Sequence, residues 1–314
     1  MAKEYKGVKG FDVIKTEHFG IQRKIVANMT AESWDDIPHS ALQYEPDATE
    51  FLAEIKKLNA SGNHKRKITV NMVMLKAIAE GLKAAPEMNG YLKFSRRFVK
   101  GKHEMFEDVN VSVPWMLPDG KMMTINIHNV NEMSLDELAD YMADVSRRIE
   151  KTNMTEAMFE VSMDNTITAL KHGKIATVLC RLIGAKLGKY RVKTLSGKAK
   201  KEYKAIPKTD RITKADIEQG TITVSNIGSI YRGNNVGVTL LEVIPPQLVA
   251  ICLAAITEKP AVFVDENGEK QIGIRSMFPI CIAFDHRALD FGEVKPFLER
   301  LDDIFANPSQ IQGW

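Results

Sequence analysis

The sequence predicts an α+β chain in which helices flank a mixed β-sheet. Some segments place apolar residues at helical spacing while others alternate strictly, the signatures of helix and half-buried strand. Two stretches of turn chemistry, Leu117-Pro118-Asp119-Gly120 and Asp265-Glu266-Asn267-Gly268-Glu269, join alternating runs as hairpins. Helices and strands are also interleaved along the chain, which points to one α+β sheet rather than separate all-α and all-β parts.

Asp47 to Asn59 reads as a helix because Phe51, Leu52, Ile55 and Leu58 share one stripe. Val70 to Met88 is the second, carrying Val73, Met74, Ala77, Ile78 and Leu82 and running out near the breakers Pro86 and Asn89-Gly90. Val109 to Val113 and Met122 to Val130 alternate on either side of the first turn. Ser134-Leu135-Asp136-Glu137 has the spacing of a capping box, in which serine and glutamate satisfy each other's free backbone donors, and opens a helix through Arg148. Residues 152–208 alternate Met-rich helical stretches (Met154, Met158, Val161, Met163) with the apolar-basic run Ile175 to Tyr190 and a Lys-rich tail. Thr221 to Ser225 alternates, Gln247 to Ile256 is a buried apolar strand, and Ala261 to Val264 and Gln271 to Ile274 flank the second turn. A last strand, Pro279 to Asp285, precedes a closing helix with Phe297, Leu298, Leu301 and Phe305 facing inward.

With 314 residues, 44% hydrophobic and 26% charged, the composition is that of an ordinary soluble protein, and a single domain over 1–314 with a basic helical insert at about 152–208 is expected. No apolar run reaches the roughly 18 residues of a membrane span, and the start lacks the apolar core of a signal peptide, so a cytoplasmic location is expected. Cys180, Cys252 and Cys281 stand singly in apolar company, without disulfide or zinc spacing, and read as buried reduced thiols; no metal is expected. The net charge of +3 conceals an asymmetry. Residues 171–208 hold twelve Lys or Arg against one acid, Glu202, a charge of +11 that leaves about −8 for the rest. That insert reads as a solvated helical elaboration with a Lys-rich loop, or as a surface for an acidic partner, the phosphates of a ligand, or peripheral contact with anionic lipid. Sparse aromatics and the lack of any DNA-binding motif exclude sequence-specific nucleic-acid binding.

Chemistry is expected at Phe284-Asp285-His286-Arg287-Ala288-Leu289-Asp290-Phe291-Gly292, where a strand runs into a helix. His286 and Asp290 lie four residues apart. Asp290-Phe291-Gly292-Glu293 also has capping-box spacing, so Asp290 serves a helix cap, a site, or both. A second polar element, Val224-Ser225-Asn226-Ile227-Gly228-Ser229, ends a strand in a hydroxyl followed by a glycine that admits close backbone approach. A base and a hydroxyl donor, each leaving a sheet, suit acyl transfer, one taking a proton and the other steadying an oxyanion.

Together, Ser225-Asn226-Ile227-Gly228, Pro245-Pro246-Gln247-Leu248-Val249-Ala250 and Asp285-His286-Arg287-Ala288-Leu289-Asp290 resemble the catalytic domain of dihydrolipoamide acyltransferases, the E2 components of 2-oxo acid dehydrogenase complexes. Gln22-Arg23-Lys24-Ile25-Val26-Ala27-Asn28-Met29, Ile37-Pro38-His39, Pro86-Glu87-Met88-Asn89 and the Pro118-Asp119-Gly120 turn follow in the family's order, over roughly residues 15–150 and 209–309. The resemblance implies a chloramphenicol acetyltransferase-like fold. It implies coenzyme A as a substrate, with His286 as the base that deprotonates a thiol of coenzyme A or dihydrolipoamide, Ser225 as the oxyanion donor, and Asp290 as a support residue ion-paired with Arg23. Asn226, Gly228 and Phe291 become substrate-channel candidates. It further implies a homotrimer with active sites between subunits, within a larger shell in many relatives.

Three departures stand out. Phe291 occupies the place of the glycine that ends the family's His-x-x-x-Asp-Gly motif. Nothing resembles a lipoyl or subunit-binding domain, so the expected acyl donor is a lipoyl group on a separate carrier protein, or a donor that is not lipoyl at all. The usual core lacks an insert at 152–208. Acyl transfer between a dihydrolipoyl thiol and coenzyme A is therefore the expected function, with acylation of a small alcohol or amine, or a non-catalytic assembly core, as the alternatives.

Overall fold

The computed structural model describes residues 14–117, 120–171, 175–188, 191–231, 233, 236–265 and 267–314. Six strands form the central sheet: β1 (His39–Tyr44), β4 (Val111–Met116), β5 (Met122–Ile127), β6 (Ile222–Asn226), β7 (Val249–Leu253) and β10 (Ile280–Asp285). Their spatial order is β1-β10-β7-β6-β4-β5. β4, β6 and β7 run parallel to one another, while β5 on β4, and β10 on both β7 and β1, are antiparallel. The sheet is thus mixed, as the sequence predicted. Two separate antiparallel ribbons, β2 (Gly90–Ser95) with β3 (Lys100–Met105) and β8 (Thr257–Val264) with β9 (Lys270–Met277), stand beside it.

One face of the sheet carries the large apolar side chains: Val111, Val113, Val224, Ile251, Leu253, Ile280, Ile282 and Phe284 pack into the main core. Against it lie α2 (Thr49–Ala60), α3 (Val70–Ala84), α4 (Leu135–Glu150) and α9 (Phe291–Ala306). Phe51 and Phe297 are fully buried there, each removing about 2–3 kcal/mol worth of apolar surface from water. Capping boxes open α3 at Thr69 and α4 at Ser134, the second as predicted. The opposite face is built from small side chains. Ala250 and Ala283 pack with Ile37 and Val243, and Cys252 and Cys281 are directly paired beside them.

Several elements went unpredicted. Helix α1 (Ile21–Asp36) buries only Ile21 and Ser33, so it has no apolar stripe to read. β1 has a half-exposed pattern, and the β2–β3 ribbon is rich in lysine on its outer face. The strand expected over 247–256 contracts to β7, while the hairpin expected over 261–274 lengthens to β8–β9. The basic region holds α5 (Met154–Lys171), α6 (Ile175–Lys186) and α7 (Gly197–Ala205), and α8 (Lys214–Ile217) leads into β6. One cysteine corrects the sequence reading: Cys252 and Cys281 are buried, but Cys180 is exposed, because α6 turns much of its surface to solvent.

Candidate active site

His286 follows the last residue of β10, and its amide donates to the Pro38 carbonyl (3.1 Å), fastening the junction to the chain just before β1. Its Nδ1 lies 3.1 Å from the Leu289 carbonyl oxygen and 3.1 Å from Asp290 Oδ1. A carbonyl only accepts, so Nδ1 carries the proton in the neutral ring and Nε2 presents a free lone pair. The imidazole is half exposed and stands edge-on to Phe284, centroids 6.0 Å apart. Asp290 is the N-cap of α9, and its own amide donates to Glu293 (2.8 Å), so capping and support of His286 coexist.

Flanking His286 is a pair the sequence did not flag. Asp285 is completely buried and accepts from the Arg287 amide (2.9 Å), Nε (3.0 Å) and Nη2 (2.7 Å). The fork closes the turn that aims His286 outward, and the guanidinium lies over Phe94, 5.8 Å from the ring centroid. A buried acid at a strand end, two residues before an arginine, was the available signal. Next door, His39 Nε2 accepts from the Val243 amide (3.0 Å), which leaves the proton on Nδ1; that atom is buried without a hydrogen-bond partner among the described residues.

Ser225 occupies the penultimate position of β6, on the small-residue face, level with Cys252. Burial pushes the Cys252 thiol above its ordinary pKa, against hydrogen bonds from the Ser225 hydroxyl and the Ile227 amide, so it stays a neutral neighbour of that hydroxyl. Asn226 Nδ2 donates to Asn71 Oδ1 (2.9 Å), and its Oδ1 accepts from the Ser229 amide (3.0 Å), so this side chain braces the turn that ends the strand. Gly228 passes so close to β7 that a Cβ would stand 2.5 Å from the Ala254 carbonyl oxygen. Only glycine fits there without displacing Ser225's strand. Phe291, 56% exposed, opens α9 immediately after Asp290.

The sheet separates the two candidate groups. Ser225 is level with Cys252, and Cys252 with Cys281 on β10, two strands away. His286 lies five residues further along β10, so spacings of about 4.8 Å between strands and about 3.3 Å along them put the two Cα atoms about 19 Å apart. Within one chain His286 and Ser225 cannot touch the same carbonyl carbon.

Arg23 stands away from Asp290 within one chain. It lies in the first turn of α1, beside Gln22, whose side chain donates to the Met122 carbonyl on β5. It lines a cavity of about 900 Å³ with Leu117, Lys121, Met158 and Arg191. The β4–β5 turn is at the Ser225 end of the sheet, whereas Asp290 is at the other end, so a 16-residue helix about 24 Å long separates Arg23 from it. No Arg23–Asp290 ion pair forms within one chain. Among the described residues, no group of three or more His, Cys, Asp or Glu side chains is arranged to hold a metal ion.

The profile of the 2-oxoacid dehydrogenases acyltransferase (catalytic domain) family matches residues 12–172 and 190–312, with 173–189 as the internal gap. The chain is 23% identical over 293 residues to the lipoamide acyltransferase component of the branched-chain alpha-keto acid dehydrogenase complex of Bacillus subtilis, covering 90% of this chain and 52% of that protein. It is 20% identical over 289 residues to the mitochondrial dihydrolipoyllysine-residue acetyltransferase component of the pyruvate dehydrogenase complex of Saccharomyces cerevisiae, covering 92% and 46%. The chain therefore spans about half the length of these relatives. Its fold is shared with a probable dihydrolipoamide acetyltransferase of Listeria monocytogenes, at TM-score 0.61 and 20% identity over 96% of this chain and 97% of that one. The profile runs through both polar elements of the site and over most of the sequence, and the chain belongs to the 2-oxoacid dehydrogenase acyltransferase family as a catalytic domain.

Proposed function

We propose that this domain transfers an acyl group between a dihydrolipoyl thiol and coenzyme A, at sites made between subunits of a homotrimer. The observation that carries the reading is the His286 ring, whose Nδ1 is committed to the Leu289 carbonyl so that Nε2 faces solvent as a base. Nε2 takes the proton from the attacking thiol, and the thiolate adds to the thioester carbonyl. Ser225 of a neighbouring copy donates to the oxyanion. Collapse breaks the original C–S bond, and the leaving thiolate takes the proton back from the imidazolium.

Assembly follows from the same separation. A base and an oxyanion donor about 19 Å apart in one chain serve one reaction only if two copies meet. Arg23 stands at the Ser225 end, so an ion pair with Asp290 belongs to that same junction between copies. The names of the relatives support the acyl chemistry, and one neighbour of this fold, at TM-score 0.60 and 19% identity, is the cubic core of a pyruvate dehydrogenase complex. The lipoyl group is read as arriving on a carrier.

Chromatographic measurement of S-acetyldihydrolipoamide formed from acetyl-CoA and dihydrolipoamide tests this, since thioester exchange leaves the total free thiol unchanged. His286→Ala should lower turnover by about 10²–10⁴-fold, and Ser225→Ala by about 10²–10³-fold. Turnover only with a small alcohol or amine would replace the acceptor. Wild-type protein that shows no coenzyme A binding by calorimetry would make the domain an assembly core.

A further inference from the structure

The sequence between Asp164 and Glu202 contains no acidic residue, while α6 and the end of α5 carry a row of aliphatic side chains turned to solvent. Ile167 and Leu170 on α5 are each 49% exposed. Ile175, Leu179 and Ile183 recur every four residues along α6 at 59%, 55% and 57%, and Leu187 just beyond it reaches 62%. Such spacing puts the α6 residues on one side of the helix. The inward side is different: Val178 is buried, and Ala185 beside it accepts from the Val192 amide (2.9 Å), tying α6 to the body. The row is therefore a second apolar stripe, left over after the helix has packed.

Six large aliphatics exposed within 21 residues form more apolar surface than scattered surface residues account for, and such patches mark interaction sites. The electrostatics select the partner. Residues 171–208 carry +11 against about −8 elsewhere, with Arg181 and Arg191 exposed on α6 and just past it, and Lys193 and Lys198 beyond. Short basic helices with an aliphatic face lie in the headgroup region of bilayers that contain anionic lipid. Among the described residues no helix is long and apolar enough to cross a membrane, and α6, at 12 residues, is about 18 Å long, suited to lying in the interface plane. The stretch the family profile skips, 173–189, contains this helix whole.

We propose that the α5–α6 corner is a peripheral docking surface for an anionic lipid bilayer, aliphatic side chains entering the headgroup region and the surrounding Lys and Arg meeting lipid phosphates. The surface is independent of the acyl-transfer site, since His286 and Ser225 lie outside it.

Flotation of the full chain with phosphatidylcholine vesicles, with and without phosphatidylglycerol, tests the idea. Binding is expected only with the anionic vesicles, weakening in about 0.5 M salt, where screening shortens to a few Å. Leu179→Asp with Ile183→Asp should weaken it by about tenfold or more while leaving circular dichroism and thiol-transfer activity unchanged. Arg181→Glu should weaken it to a smaller degree. Failure of the wild type to float with anionic vesicles at low salt overturns the proposal, as does undiminished binding by the double variant, which would reduce the contact to nonspecific charge. A fall in molar mass of the double variant by light scattering also overturns it, because the row would then be covered by a second copy.

Discussion

Ser225 and His286 lie at opposite ends of one sheet, Ser225 near the C-terminal end of β6 and His286 past the end of the antiparallel β10. The strand directions, more than the distance, make the point. β6 and β10 point in opposite directions, so residues that leave them in the same sense along the chain emerge on opposite edges.

That arrangement predicts complementation. His286→Ala and Ser225→Ala should each be nearly inactive, yet co-refolded mixtures should regain a substantial share of activity, since a junction that receives both wild-type groups is intact. S-acetyldihydrolipoamide formation measured on the mixture checks it. Mixed trimers verified by mass with no recovery would place both groups at one site in one chain and defeat the subunit reading.

Asp290→Asn separates support from capping. Asparagine is as good an N-cap as aspartate, so the melting temperature should hold within about 2 °C. The Leu289 carbonyl still fixes the ring, and the Asp290 side chain is 79% exposed, where an ion pair contributes about 0–1 kcal/mol. Turnover should drop by about fivefold or less. A loss rivalling that of His286→Ala would mean that Asp290 does far more than steady the ring.

How much of this was readable beforehand divides along physical lines. The His286–Asp290 contact spans four residues, and the capping boxes at Ser134 and Asp290 span three, so backbone geometry alone fixes them. α3 announced itself because ten of its residues are buried and their spacing follows the helix. Helix α1 did not, because its apolar residues are few and its place is set by contacts such as Gln22 with Met122, a hundred positions away. The separation of Ser225 from His286, and of Arg23 from Asp290, depends on strand order and direction, which no local pattern encodes. The resemblance supplied the residues and implied sites between subunits; the fold supplies the strand order that keeps them apart in one chain.

Phe291→Gly tests the departure from the family motif. The side chain is exposed at the first turn of α9, so its removal should cost only about 1 kcal/mol from glycine's helix penalty. Its place beside Asp290 predicts a larger effect on KM for the thiol substrate, about threefold or more, than on kcat. Unchanged kinetics for both thiols would remove Phe291 from the substrate path.

Arg287→Ala should be far more damaging to the fold than its position between two site residues suggests. It leaves the fully buried Asp285 carboxylate without its fork, and losing one partner of a buried pair costs about 3–5 kcal/mol. With the guanidinium 23% exposed, the lower end is expected. Urea midpoints of Arg287→Ala, Asp285→Asn and the double variant form a cycle, in which the double variant should be less destabilised than the sum of the singles. Additive losses would show that the pair is not coupled.

Asp47 gives the acid limb of stability a definite sign. Partial burial pushes its carboxyl upward, but the Thr49 hydroxyl (2.6 Å) and amide (2.9 Å) and the Arg275 guanidinium (2.5 Å) together hold it below the ordinary aspartate value. A folded-state pKa below the unfolded one means the unfolded chain binds the proton first as pH falls. The stabilisation is complete above about pH 4, the unfolded value, and disappears as pH drops through the lowered folded value. Asp47→Asn should therefore be less stable than the wild type by about 1 kcal/mol at neutral pH, with the two curves converging toward pH 2. Urea unfolding across that range measures it, and a gap between the two proteins that widens on acidification would reverse the assignment.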